Sequence, residues 1–169
     1  TAPHASYLLC MTENPDQETR MEEIAWIEAA EYADSLGVDV INTSLGYSDF
    51  DGDLYDYTYR DMDGLSTHIS RAASLLASRG MILCNSAGNE GNDAWFYITA
   101  PTDAKDILTV GAADSTGLIA NFSSRGPSFD ARIKPDVTTM GKATGIQYKN
   151  GALARGNGTS FASPVMAGS

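Results

Sequence analysis

Short apolar runs of strand length alternate along this chain with stretches of helical period, and that alternation limits the fold more than any other feature. Met81-Ile82-Leu83-Cys84 and Ile107-Leu108-Thr109-Val110-Gly111-Ala112 are short apolar runs that read as strands. Val38-Asp39-Val40-Ile41 begins a further strand that ends at Ser44-Leu45-Gly46, residues 5–11 read as another short buried strand, and Val137 lies in one more. Between them Met21, Ile24, Ala25, Ile27, Ala29, Ala30, Ala33 and Leu36 recur near a 3.6-residue period, with Gly37 as the stop. Ile69, Ala72, Ala73, Leu76 and Ala77 share a second helical face that Gly80 closes. Strands alternating with helices predict parallel βαβ units in an open α/β sheet. One domain covers residues 1–169, without internal repeat or linker. Functional residues then belong at the C-terminal ends of strands. Residues 47–64 and 141–157 read as loops, the second rich in turns.

Acidic residues number 22 against 11 Lys and Arg, a formal net charge of −11. Such a balance speaks against nucleic acid as a partner. No stretch is long and apolar enough to span a membrane. Cys10 and Cys84 both fall in apolar, strand-like runs and are expected to be buried free thiols. The acidic loop that holds Asp49, Asp51 and Asp53, followed by Asp56, Asp61 and Asp63, suggests Ca2+. Its glycine is misplaced for an EF-hand and Arg60 stands where Glu is needed, so a solvated acidic loop is the competing reading. Tyr47, Tyr55, Tyr57 and Tyr59 offer a third, the lining of a substrate subsite.

Near the C-terminus stands Gly156-Asn157-Gly158-Thr159-Ser160-Phe161-Ala162-Ser163-Pro164. Thr159 or Ser160 can cap a helix, and Pro164 is tolerable near its first turn. A serine at such a helix mouth has free N–H groups and the helix dipole beside it, both of which favour an oxyanion. The alternative is a glycine-rich loop feeding a tightly packed helix. A G-x-S-x-G elbow is excluded because Ala162 stands at the second glycine. A phosphate loop is excluded because no G-K-[ST] occurs.

Three more stretches accompany it: Val40-Ile41-Asn42-Thr43-Ser44-Leu45-Gly46, Asn85-Ser86-Ala87-Gly88-Asn89-Glu90-Gly91 and Asn121-Phe122-Ser123-Ser124-Arg125-Gly126-Pro127. In this order, and ending in Gly-Thr-Ser-Phe-Ala-Ser-Pro, the chain resembles the subtilisin-like serine proteases, or subtilases, along its whole length. The resemblance implies a three-layer parallel-sheet fold and a serine endopeptidase acting on peptide or protein substrates. It makes Ser160 the nucleophile and Asn89 the side-chain donor to the oxyanion. It makes Ser44, Leu45 and Gly46 the segment that pairs with substrate backbone, and Ala87 and Gly88 a wall of the pocket beside the cut bond. Backbone pairing of this kind reads main chain and tolerates sequence.

Serine attack also needs a base and a carboxylate to orient it. Only His4 and His68 occur, and neither has the family's His-Gly-Thr context. The resemblance therefore implies an incomplete catalytic domain. The Asp and His segments, expected before Thr1, and the helices after the serine are absent, and the isolated chain is expected to be inactive. The other class of reading is a catalytically dead subtilase-like binding or structural module. The strand ending at Leu45 is expected to have an uncovered edge, open to self-association. The expected setting is secretion or a bacterial cell envelope.

Overall fold

Four parallel strands lie side by side in the order in which the chain makes them. β1 (Val40–Thr43), β2 (Ile82–Ser86), β3 (Leu108–Ala113) and β4 (Val137–Met140) form one sheet of order β1-β2-β3-β4. Ile41 stands opposite Leu83, Cys84 opposite Leu108, and Ala112 opposite Thr139. This is a computed structural model that describes residues 2–169, with the side chain of Asp53 outside the description.

Helices α1 (Arg20–Ser35) and α2 (His68–Ser78) cover one face of the sheet. Their periodic apolar residues Trp26, Ala30, Ala33, Ile69, Ala73 and Leu76 are buried together with Leu83 and Ile107. Thr67 starts α2 as the sequence chemistry requires, its buried hydroxyl accepting the Ser70 N–H at 3.2 Å. On the other face lies α3 (Thr159–Ala167), where Ala162 and Met166 pack on Val110 and Ala112. The result is the expected α/β three-layer arrangement, helix pair on sheet on helix. Only β1 and β2 are joined through a helix; residues 87–107 and 114–136 make the other two crossovers without one.

Two expectations fail. Residues 5–11 form no strand: Tyr7, Leu9 and Met11 are mostly exposed, and so is Cys10, while Cys84 is buried as expected. An apolar run becomes a buried strand only where a neighbouring strand and a covering layer receive it. Among the described residues β1 pairs with β2 alone, so nothing receives this run. The supposed turn-rich loop at 141–157 contains an antiparallel hairpin, β5 (Thr144–Gln147) and β6 (Leu153–Gly156). Its turn is closed by the Tyr148 N–H donating to the Ala152 carbonyl at 2.9 Å, with Gly151 in the left-handed region at φ 83°. Three glycines and a solvated surface had hidden the alternation.

Candidate active site

The carboxyl ends of β1 and β2 and the N-terminus of α3 converge on one place. Ser160 is the second residue of α3 and half-buried. Its N–H lies in the first turn, where a helix has no carbonyl to offer it. Ser160 Oγ lies 3.4 Å from the Ser44 carbonyl, and Ser44 Oγ donates to the Ser160 carbonyl at 3.2 Å. Pro164 explains why that carbonyl accepts from outside the helix: proline has no N–H to return to the residue four positions earlier. Two further bonds fix α3 on the sheet. Ser163 Oγ donates to Asn42 Oδ1 at 2.8 Å and Thr139 Oγ1 to the Ala162 carbonyl at 2.6 Å.

Asn89 follows β2 and reaches the same helix start. Its Oδ1 accepts the Thr159 N–H at 2.9 Å and lies 3.1 Å from the Thr159 hydroxyl. The fully buried Thr159 also accepts from the Gly88 N–H at 3.3 Å. With the carbonyl oxygen of the amide so committed, the Nδ2 hydrogens are what Asn89 has left to donate. Neither Thr159 nor Ser160 is the helix cap, a place Gly158 takes; Thr159 acts through its neighbours, which the sequence alone does not mark. Ser124 was missed for the same reason. Its hydroxyl is 2.5 Å from Glu90 Oε2 and accepts from the Glu90 N–H at 3.0 Å, which braces the turn holding Gly88 and Asn89.

Gly88 has φ 104°, and a Cβ there would run into Glu90 Oε2 and the Ser124 hydroxyl. Only glycine serves at this position. Ala87 is buried, its N–H on the Val110 carbonyl at 2.9 Å. Across from them runs Ser44-Leu45-Gly46. It is anchored by the Leu45 carbonyl on Asn85 Nδ2 (3.4 Å) and by Tyr47, which exchanges both backbone hydrogen bonds with Ala100 (2.8 and 3.1 Å). Gly46 passes so close to Thr99 Oγ1 that a side chain would collide with it. The fold thus brings Ser44, Leu45, Gly46, Asn89 and Ser160 to one locality, with Ala87 and Gly88 next to Asn89. It does not bring a histidine there. His4 and His68 are exposed, and no histidine hydrogen-bonds Ser160 among the described residues.

A cleft of about 790 Å³ opens from Gly46 and is lined by six carboxylates, Glu18, Asp49, Asp51, Asp56, Glu90 and Asp93. Burial, and then the charges of Glu22, Glu13, Asp49 and Asp51, push the Glu18 carboxyl up from 4.5 to about 7. Of the acids singled out in the sequence, Asp61 and Asp63 cap their own loop, bonding Thr58 and Ser66. Asp53 lies outside the described side chains. The carboxylates the fold gathers within 4.8 Å of one another are instead Glu13, Glu18 and Glu22. Two of these already serve the fold. Glu22 accepts the N–H groups of Asn14 and Thr19, and Glu13 accepts the Tyr47 hydroxyl at 2.6 Å. Of the four tyrosines only Tyr57 lines the cleft, and its hydroxyl donates to Glu23.

The profile of the subtilase family matches residues 2–169. Over 151 residues the chain is 33% identical to the membrane-bound transcription factor site-1 protease of Rattus norvegicus, covering 85% of this chain and 13% of that protein. Serine protease AprX of Bacillus subtilis (strain 168) is 30% identical over 152 residues, covering 78% and 32%. The chain therefore spans a minor part of these relatives' lengths. The solved self-cleaved protease domain of PatA superposes with a TM-score of 0.68 at 24% identity, over 89% of this chain and 50% of that one, a likeness of fold. None of the described helices is long and apolar enough to cross a membrane. With its profile match running from residue 2 to residue 169, this chain belongs to the subtilase family.

Proposed function

We propose that the protein carrying this chain is a serine endopeptidase in which Ser160 attacks the peptide carbonyl and holds the acyl group. The observation that carries the reading is the bond from Thr159 N–H to Asn89 Oδ1 across 70 positions of sequence. It seats an amide donor beside the residue that precedes Ser160. Asn89 Nδ2 and the Ser160 N–H then serve the oxyanion, and their worth appears in the transition state rather than in substrate binding. Peptide backbone lies along Ser44-Leu45-Gly46, opposite Ala87-Gly88. The relatives whose names describe proteases support the same chemistry. The expected setting is extracellular or at the cell envelope.

The base and its orienting carboxylate come from outside these 169 residues, and the chain alone is inactive. An unactivated hydroxyl is a poor nucleophile. A fluorophosphonate probe tests both parts. It should label Ser160 rapidly in the whole protein, not at all in Ser160→Ala, and far more slowly in the isolated chain. Equal peptide turnover by a folded Ser160→Ala protein would reject the assignment.

The outer edge of β1 is unpaired among the described residues, and we propose that the isolated chain self-associates along it. Sedimentation should show a concentration-dependent dimer, and Val40→Lys should reduce it.

A further inference from the structure

Asn85 sits in the middle of a buried polar row that crosses the sheet, Thr43 on β1, Asn85 on β2 and Thr109 on β3, all in register. The two threonines are satisfied. Thr43 accepts the Trp26 indole N–H at 3.1 Å, and Thr109 Oγ1 donates to the Thr102 carbonyl at 2.6 Å. Asn85 is 1% exposed, and its Oδ1 has no hydrogen-bond partner, alone among the described buried side-chain polar atoms. An amide with an orphaned buried oxygen costs stability, which a leucine of similar size in the same place would not. What the amide supplies is its other end, since Nδ2 donates to the Leu45 carbonyl.

We propose that Asn85 is a positioning residue for peptide binding, a role that rests on the endopeptidase reading above. By holding the Leu45 carbonyl toward β2, it sets the rotation of Ser44-Leu45-Gly46. The neighbouring Ser44 carbonyl faces Ser160 Oγ. The N–H and carbonyl of Gly46 have no partner among the described residues, which leaves them available to an extended peptide. Tyr47 on Ala100 fixes the far end of the same segment and Asn85 fixes its middle. Without the amide the segment is tethered at its two ends and can turn its hydrogen-bonding groups away from the peptide.

The test uses this chain and two fluorescein-labelled probes, the tetrapeptide amide Ala-Ala-Val-Ala and the same peptide N-methylated on its backbone. Binding is read by anisotropy and folding by thermal melting. Asn85→Leu should keep or raise the melting midpoint while weakening the unmethylated peptide roughly tenfold. It should leave the methylated peptide, already poor in backbone hydrogen bonds, unchanged. A structural defect would weaken both probes alike. Equal affinity of wild type and Asn85→Leu for the unmethylated probe overturns the proposal and leaves the endopeptidase reading standing. A wild-type chain that does not distinguish the two probes overturns the substrate segment itself, and this role with it. If Asn85→Leu does not fold, 15N-labelled wild type decides. The Asn85 side-chain amide protons should exchange slowly and shift when the unmethylated peptide is added, and fast exchange or unmoved resonances reject the role.

Discussion

Asn89 and Glu18 show how single side chains acquire a task from what surrounds them. Thr159 takes the carbonyl half of the Asn89 amide and thereby orients the donor half. In the whole protein Asn89→Ala should lower kcat about a hundredfold with KM little changed. That scale is taken over from the loss of such a donor in subtilisin. Steady-state kinetics checks it, and an effect confined to KM would make Asn89 a binding or turn residue. Glu18 is shaped by burial first and then by repulsion. Its carboxyl is raised from 4.5 to about 7 by burial and by four acidic neighbours, so between those values the folded state holds the proton more tightly than the unfolded one. The stability it contributes is complete below about pH 4.5 and is lost as pH rises through about 7. Glu18→Gln should therefore raise stability at pH 8 by about 1 kcal/mol, after discounting for screening at an exposed group. That corresponds to a melting shift of about 3 °C. At pH 4.5 no difference is expected, and melting curves at the two values decide.

Elements differ in how plainly the sequence announces them, and the reason is where their partners lie. The faces of α1 and α2 and the runs of β2 and β3 were legible because each buries its own apolar residues against adjacent structure. The gathering of Ser160, Asn89 and Gly46 in one locality was legible through motif resemblance, not through periodicity. Residues 5–11 have a strand's composition but no receiving edge, and the β5–β6 hairpin has an edge but too little apolar patterning to reveal it. Thr159, Ser124 and Asn85 could not be read from the sequence as neighbours of this locality because each is joined to it by a hydrogen bond to something 34 to 71 positions away. The segment after β1 offers a test at this scale. A methyl group at Gly46 would strike Thr99 Oγ1, so Gly46→Ala should displace the segment and weaken peptide binding about tenfold. Adding Thr99→Ala should recover most of the loss. Failure of the double variant to recover would mean that Gly46 is needed for its backbone and not for its lack of bulk.

The 169 residues together carry −11, and their acidic cleft opens beside the proposed peptide path. Such a field accelerates encounter with positive ligands and is screened by salt. A lysine-containing peptide should therefore associate about tenfold or more faster than a glutamate-containing one at low ionic strength. The gap should close at high salt, and stopped-flow association rates measure it. Equal rates at low salt would mean that the cleft's charge is not felt along the approach. The strand order has a different consequence, one of timing. Because β1 to β4 lie in the order of synthesis, a chain leaving the ribosome can lay each strand on the one before it without a later segment being threaded between. Helix α3 follows all four strands and is tied to Asn42 of β1 at one side and to Thr139 of β4 at the other. Ser160, the proposed nucleophile, is thus seated only once the strands that hold its helix are in place.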